Sequence, residues 1–76
     1  DSSGRSILLD LLDRKYLNSF PNVDEKEKVQ VILVTISVSH FVQNQELKLK
    51  LERLMNEDLN LKIREAARIA LEKFII

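Results

Sequence analysis

Hydrophobic residues recur every three to four positions over most of the chain, which is the spacing that places side chains on one face of an α-helix. The pattern is most regular near the C terminus, where an apolar stripe runs without interruption. This stripe consists of Ile63, Ala66, Ala67, Ala70, Leu71 and Phe74. A similar stripe precedes it and consists of Leu47, Leu51, Leu54 and Met55. The pattern therefore predicts two amphipathic helices, over about residues 44–57 and 60–74.

The first part of the chain has the same periodicity, over about residues 6–17. Ser6 is the type of residue that caps a helix N terminus. The apolar stripe after it consists of Leu8, Leu9, Leu12 and Tyr16. The sequence "NSFPN" follows, in which Pro21 disfavours the helical conformation of Phe20. We therefore predict a single helix that ends before this proline.

The segment between residues 22 and 43 gives conflicting signals. Its acidic start has the spacing of a capping box, either Asn22 with Glu25 or Asp24 with Glu27. The remainder, "VQVILVTISVSHFV", is rich in β-branched residues, which favour strands. However, this run is long for a strand, and its large apolar residues also fall at helical spacing. We predict a helix buried on more than one side, and far-UV circular dichroism with substantial β signal would establish the strand alternative.

Composition supports helices joined by short connections, because the 76 residues include one glycine and one proline. A chain of this length forms one small domain, whose stability usually needs a supplement. Cysteine is absent and His40 is the single histidine, which excludes disulfides and metal sites built from thiolates or several imidazoles. Close helix packing, an oligomer or a longer parent chain are the remaining supplements.

The charge balance bears on partners and location. Twelve Lys and Arg residues balance twelve Asp and Glu residues, whereas modules for nucleic acid or membrane surfaces normally carry a basic excess. The apolar stretch from Val29 to Val42 is too short and too interrupted to span a membrane. The first residues, "DSSGRS", are unlike a signal peptide. We therefore expect no membrane association and a cytoplasmic or nuclear location.

Residues 51–74, "LERLMNEDLNLKIREAARIALEKF", resemble a HEAT repeat of the HEAT/armadillo-like α-solenoid family. The likeness consists of an apolar helix, a turn that contains an acid, a branched apolar residue followed by arginine, and paired alanines before a closing "AL". The matching positions are Asp58, Ile63, Arg64, Ala66, Ala67, Ala70 and Leu71. The full unit begins at about Gln45 and lacks the helix-bending proline of the family.

A second copy is expected, because a single repeat cannot bury its own apolar face. A shift of 34 positions places Asp24 on Asp58, and larger apolar residues then take the alanine positions. The resemblance implies a linker or cloning remnant over residues 1–5, a diverged repeat over 6–43 and a second repeat over 44–76. The expected fold is all-α, with two stacked antiparallel helix pairs, four helices in all. Such a fragment is expected to belong to a larger helical-repeat protein.

The resemblance also implies roles for particular residues. In HEAT repeats the turn acid and the arginine typically pair, which makes Asp58 and Arg64 a structural turn pair. Family members are mostly scaffolds, so we expect a protein partner on the solvent-facing side of the second helices. Exposed apolar residues at the two ends of the domain, notably Ile75 and Ile76, would receive further repeats, a partner or a second copy. The candidate residues for these surfaces are Arg64, Glu65, Arg68, Glu72, Ile75 and Ile76.

No arrangement in the sequence indicates catalysis. Ser39 adjoins His40, but neighbouring residues diverge around a helix, and no orienting acid or oxyanion hole is indicated. We therefore predict no enzyme activity, cofactor or metal site. Two other functions remain open: a free-standing four-helix bundle that dimerises, and a weak nucleic-acid-binding module. The basic face of that module would consist of Lys48, Lys62, Arg68 and Lys73.

Overall fold

The computed structural model describes residues 3–75, with side chains described from residue 7 onward. This part of the chain is helical and contains no strand, so the strand alternative for the valine-rich segment is wrong. The helices are α1 (Ser3–Leu11), α2 (Arg14–Leu17), α3 (Glu25–Ser39), α4 (Gln45–Glu57) and α5 (Leu61–Leu71).

Side-chain caps fix the starts of the three long helices. The Asp24 carboxylate accepts from the Glu27 amide, and the Glu27 carboxylate accepts from the Asp24 amide, which confirms one of the two predicted capping boxes. The side chains of Asn44 and Asn60 each accept from two amides in the first turns of α4 and α5. These amides lack partners within their helices, so the caps stabilise the observed starts.

The first predicted helix is divided into α1 and α2. Asp13 separates them, because its backbone is extended (φ −100°, ψ 115°) and its carboxylate caps α2 by accepting from the Lys15 amide. Helix α1 already begins at Ser3, so Ser6 lies within the helix rather than at its N-cap. Residues 3–5, expected as a linker, are helical, and residues 1 and 2 lie outside the described part of the chain.

The break at Asp13 changes which side chains point to the core. Leu12 is fully buried, as predicted, and Leu17 is 4% exposed, whereas Tyr16 is 40% exposed. A continuous helix would have buried Tyr16, four positions after Leu12. Because the helix restarts at Arg14, Leu17 rather than Tyr16 is the buried apolar side chain of this segment.

The core lies among α1, α3, α4 and α5. The extensively packed pairs of these helices are α4 with α5, α3 with α5, α1 with α3, and α1 with α4. The buried apolar side chains are those of Leu12, Leu17, Ile32, Ile36, Leu47, Leu51, Leu54, Ile63, Ala67, Ala70 and Phe74. In the described residues, α3 and α4 are consecutive along the chain but do not pack extensively. The shortest extent of the Cα positions, 16 Å, corresponds to two layers of helices.

Helices α3 and α5 are neighbours that run in the same direction. Val29, early in α3, shares a groove with Leu61 at the start of α5. Ile36, later in α3, shares a recess with Ala70 near the end of α5. Beyond both helices, the Gln43 side chain donates to the main-chain oxygen of a residue that follows α5. Corresponding ends of α3 and α5 therefore lie together.

Helices α1 and α4 are also neighbours that run in the same direction. Leu9 of α1 shares a groove with Leu49 of α4. Asp13, which follows α1, shares a second groove with Glu57 at the end of α4. Two pairs of parallel neighbours thus accompany the short α4–α5 hairpin.

Helix α3 packs against neighbours on two sides, and its remaining side is exposed although the sequence there is also apolar. Ile32 and Ile36 are buried, but Val34 is 54% exposed and Val38 is 41% exposed. The reason is that α3 packs extensively against α1 and α5 only, which leaves a third side in solvent. The uniformly apolar sequence could not show which side would lack a neighbour.

Two hydroxyl side chains lie in the buried face of α3. Thr35 is 4% exposed and Ser39 is fully buried. The Thr35 hydroxyl donates to the Val31 carbonyl at 2.8 Å, and the Ser39 hydroxyl donates to the Thr35 carbonyl at 2.7 Å. Both donors are therefore satisfied one turn back in their own helix, which removes most of the cost of burying them.

Candidate interaction surface

Asp58 lies at the C terminus of α4 and joins three segments of the chain. Its carboxylate accepts from Arg14 through Nε at 2.9 Å and Nη2 at 3.2 Å, and from the Asn60 amide at 2.9 Å. Arg14 also donates from Nη1 to Glu25 at 2.7 Å. One guanidinium thus links α2 to the start of α3 and to the α4–α5 turn. Asp58 is only 7% exposed, and its bidentate partner and the amide satisfy the buried charge.

Arg64 lies beside this junction, but it does not occupy the position that the sequence indicated. Its Nε donates to the main-chain oxygen of Asp58, while Arg14 takes the carboxylate. The physical reason is local. Asp58 is the C-cap of α4, so its carbonyl has no partner within the helix, and Arg64 in the first turn of α5 reaches it. The ion pair expected between Asp58 and Arg64 is therefore made by Asp58 with Arg14.

The surroundings of Asp58 favour its ionised form. Burial acts as the largest single influence and raises the pKa of the carboxyl. The hydrogen bonds from Arg14 and Asn60 and the positive charges of Arg14 and Arg64 together outweigh it and hold the pKa of Asp58 below its ordinary value. The hydrogen bond to Asp58 likewise raises the pKa of Arg14. Both groups are therefore charged throughout the neutral range.

Three residues of the predicted binding face form one ion cluster on α5. Arg68 donates from Nε to Glu65 at 3.0 Å and from Nη1 to Glu72 at 2.7 Å. The hydrogen bond from Arg68 lowers the pKa of Glu65, and the bond to Glu65 raises the pKa of Arg68. The cluster is solvated, because about half or more of each side chain is exposed. Its charges already satisfy one another and offer a partner little free charge.

Gln43 holds the C-terminal residues up to Ile75 in place. It adopts a left-handed backbone conformation with φ of 51°. Gln43 Nε2 donates to the Lys73 carbonyl at 3.1 Å, and Gln43 Oε1 accepts from the Ile75 amide at 2.8 Å. The side chain of Ile75 is 89% exposed, as the prediction of an apolar end requires. Ile76, the other residue named for this end, lies outside the described part of the chain.

A groove that the sequence did not indicate runs between α3 and α5, and we call it the α3–α5 groove. Near the ends of the two helices it forms a recess of about 200 Å³. The recess is lined by Leu33, Ile36, Ser37, His40, Ala66, Ile69, Ala70 and Lys73. Toward the starts of the helices the groove has a wider part, with a volume of about 630 Å³. The wider part is lined by Glu25, Lys26, Val29, Gln30, Leu33, Leu59, Asn60, Leu61 and Lys62.

Small side chains on α5 create the recess. Ala66 and Ala70 line it, and a larger residue at either position would fill it. Ala67 does not line the recess and is fully buried in the core. The paired alanines in "REAARIAL" were the available signal in the sequence. Which alanine faces a neighbouring helix and which faces a groove depends on the position of α3.

Other chemistry has less support in the structure. In residues 3–75, no group of three or more His, Cys, Asp or Glu side chains is arranged to hold a metal ion. His40 stacks on Phe41, with ring centroids 4.1 Å apart, and its carbonyl accepts from Gln43. None of the described helices is long and apolar enough to cross a membrane.

Comparison with known proteins gives no assignment, since no family model, curated protein or solved structure matches the chain. The resemblance to HEAT repeats therefore depends on the sequence motif, and function must be argued from the arrangement of the helices and the surfaces between them.

Proposed function

We propose that this chain is a non-catalytic protein-interaction module made of two HEAT-like repeats within a larger helical-repeat protein. The first repeat consists of α1, α2 and α3, with α1 and α2 together as its first helix. The second repeat consists of α4 and α5. In this arrangement α3 and α5 are the second helices of the two repeats, and the groove between them belongs to the surface that binds partners.

The order of neighbouring helices carries this proposal. In a solenoid the first helices of successive repeats lie side by side, and so do the second helices. The parallel neighbours α1 with α4 and α3 with α5 have this relationship. In an up-and-down four-helix bundle, consecutive helices would be neighbours and α3 would pack on α4. The extensive packing of α3 on α5 instead favours stacked repeats over the free-standing bundle.

The surface chemistry supports a binding role in preference to a nucleic-acid module. Of the four residues suggested for a basic face, Arg68 is neutralised by Glu65 and Glu72. Two others, Lys62 and Lys73, lie at different parts of the groove between α3 and α5, with apolar side chains between them, so they do not form a continuous basic face. Protein partners recognise such surfaces by burying apolar side chains and pairing charges at the edge.

Engineered cysteine pairs test the stacked arrangement, because the natural chain has no cysteine. One variant carries Ser37→Cys and Ile69→Cys, which line the same recess on α3 and α5. A matched variant carries Gln30→Cys and Arg53→Cys on α3 and α4. A short bismaleimide should cross-link the first pair much faster than the second. Faster cross-linking of the second pair would show an up-and-down bundle and overturn the proposed arrangement.

Photo-cross-linking tests the binding role. A photoreactive phenylalanine analogue is placed in turn at the exposed positions of Ile69, Ile75 and Arg53, and each variant is irradiated in lysate from the organism that encodes the protein. Protein adducts that depend on position are expected. If all three positions give no protein adduct, the interaction role is contradicted.

A further inference from the structure

We infer that the α3–α5 groove binds an acidic amphipathic helix from another protein, with apolar side chains in the groove and Asp or Glu side chains along its edges. This inference rests on the proposed function and names the class of partner. Its three supports are the apolar floor of the groove, the unpaired lysines along its rim, and its length.

The floor of the groove is apolar and unfilled. Ile36 and Ala70 are almost completely buried, Leu33 and Ala66 are half-buried, and Ile69 is 43% exposed. The recess of about 200 Å³ is smaller than the usual pocket for a drug-sized molecule. It has room for one or two apolar side chains, which is the kind of anchor that a partner helix presents.

The rim of the groove is basic. Lys26 and Lys62 line the wider part, and Lys73 lines the recess. The ammonium groups of these three lysines make no hydrogen bond or ion pair with the described part of the chain. Glu25 is the only acid among the described lining residues, and its carboxylate is already paired with Arg14 at 2.7 Å. The rim therefore carries uncompensated positive charge even though the whole chain is neutral.

Charge complementarity then selects an acidic occupant. A partner with Asp or Glu at the positions facing the lysines gains attraction at both ends of the groove, and a basic partner meets repulsion. Charges at the rim remain partly solvated, so they contribute mostly to selectivity and association rate, while the apolar floor supplies affinity.

The length of the groove indicates a helix of three to four turns. It follows α3 from Glu25 to His40, which is roughly 22 Å at the rise of an α-helix. A partner helix of about 14 residues spans this distance. Apolar residues at i, i+3, i+4 and i+7 of such a helix form a single stripe that fits a narrow groove.

Nucleic acid is the main competitor for a lysine-rimmed groove. Binding to phosphates without base contacts requires a continuous basic track, and stacking requires exposed aromatic rings. The lysines here are separated by an apolar floor, and the one aromatic ring among the described residues that line the groove, that of His40, already stacks on Phe41. These features favour a peptide.

A phage-displayed library of random 14-residue peptides, selected on the immobilised full chain, tests the inference. Enriched peptides should be acidic and should have apolar residues at helical spacing. Their synthetic versions are then measured by fluorescence anisotropy against the wild-type protein and two charge-reversed variants.

The first variant carries Lys26→Glu, Lys62→Glu and Lys73→Glu in the groove. The matched control carries Lys15→Glu, Lys50→Glu and Arg53→Glu, which lie on the α2 and α4 side. All six positions are solvent-accessible, and both variants change the net charge equally. We expect about tenfold or greater loss of affinity in the groove variant and less than about threefold in the control. Circular dichroism and thermal melting of both variants confirm that they are folded.

Four outcomes overturn the inference: no enrichment, enrichment of neutral or basic peptides, equal weakening of binding in the two variants, or tighter binding of a single-stranded oligonucleotide than of any selected peptide. The photo-cross-linking experiment separates these failures from failure of the proposed function. Protein adducts at Ile75 or Arg53 without adducts at Ile69 would preserve the interaction role and move it away from the groove.

Discussion

The Arg14 guanidinium and the Asp58 carboxylate form a two-bond ion pair between positions 44 residues apart in the sequence. Because Arg14 also binds Glu25, this pair connects the first helical segment to the start of α3 and to the end of α4. Contacts between such distant parts of the chain determine how the two halves of a small domain are placed. The pair therefore has consequences for stability that an exposed ion pair does not have.

Replacing Asp58 with asparagine should destabilise the protein clearly. The substitution removes the charge that Arg14 and the Asn60 amide contact and, among the described residues, leaves the half-buried Arg14 guanidinium paired only with the more exposed Glu25 carboxylate. We expect the free energy of unfolding to fall by about 1–3 kcal/mol, which corresponds to about 4–8 °C in Tm for each kcal/mol. Urea denaturation measures the change. Glu65→Gln, in the exposed cluster with Arg68, is the matched control and should change stability much less, so equal effects would contradict the assigned role of Asp58.

The same carboxylate should make stability depend on pH. Folding lowers the pKa of Asp58, so its contribution is complete above the unfolded-state value of about 3.9 and is lost as pH falls through the lower, folded-state value. We expect the wild-type free energy of unfolding to decline below about pH 4, and Asp58→Asn to show a shallower decline. Urea titrations of both proteins at a series of acidic pH values provide the comparison. Parallel curves would show that Asp58 does not titrate as described.

Two neighbouring alanines should respond differently to the same substitution. Ala67 is completely buried, so Ala67→Leu should overpack the core and cost about 1–3 kcal/mol. Ala66 lines the open groove, so Ala66→Leu should fill the recess with a much smaller loss of stability. Thermal melting of the two variants tests this difference directly. Equal loss in both would mean that no open recess exists between α3 and α5.

Both the backbone conformation and the side chain of Gln43 should affect the stability of the protein. Gln43→Ala keeps the left-handed conformation on a residue with a Cβ and removes the bonds to Lys73 and Ile75, whereas Gln43→Gly removes the same bonds but accepts that conformation freely. We expect the alanine variant to be less stable than the glycine variant by about 1 kcal/mol. The Ile75 amide should exchange with solvent faster than wild type in both. Unchanged exchange would show that the side chain does not hold the end of the chain.

Local sequence signals located three of the helices well. The Asp24 capping box acts within three residues along the chain, so its pattern in the sequence is the same pattern seen in the structure. The apolar stripes of the last two helices predicted starts next to Asn44 and Asn60, which the structure shows to be the caps of α4 and α5. Asp13 carries an equally local signal, but it lies inside a stretch with continuous apolar periodicity. The apolar periodicity predicts one helix across Asp13, so the break between α1 and α2 is not visible in that pattern.

Relationships between helices could not be predicted in the same way. The resemblance to HEAT repeats implied that Asp58 pairs with Arg64, whereas the pairing of Asp58 with Arg14 depends on where α2 packs. The exposure of Val34 depends likewise on which sides of α3 have neighbours. The α3–α5 groove could not be predicted for the same reason. A small residue such as Ala66 allows either close packing of a neighbouring helix or an open recess, and the position of α3 decides which.

The buried hydroxyls of Thr35 and Ser39 have a mechanical consequence. Each donates within α3, so neither bond fixes how far α3 can slide along the helices beside it. The side-chain hydrogen bonds that join α3 to other segments lie toward its two ends: Gln43 follows its last turn, and Glu25 and Lys28 in its first turns bind Arg14 and Asn18. The middle of α3 is therefore positioned by the shape of the apolar core around Ile32 and Ile36, and only its two ends are positioned by directional polar bonds.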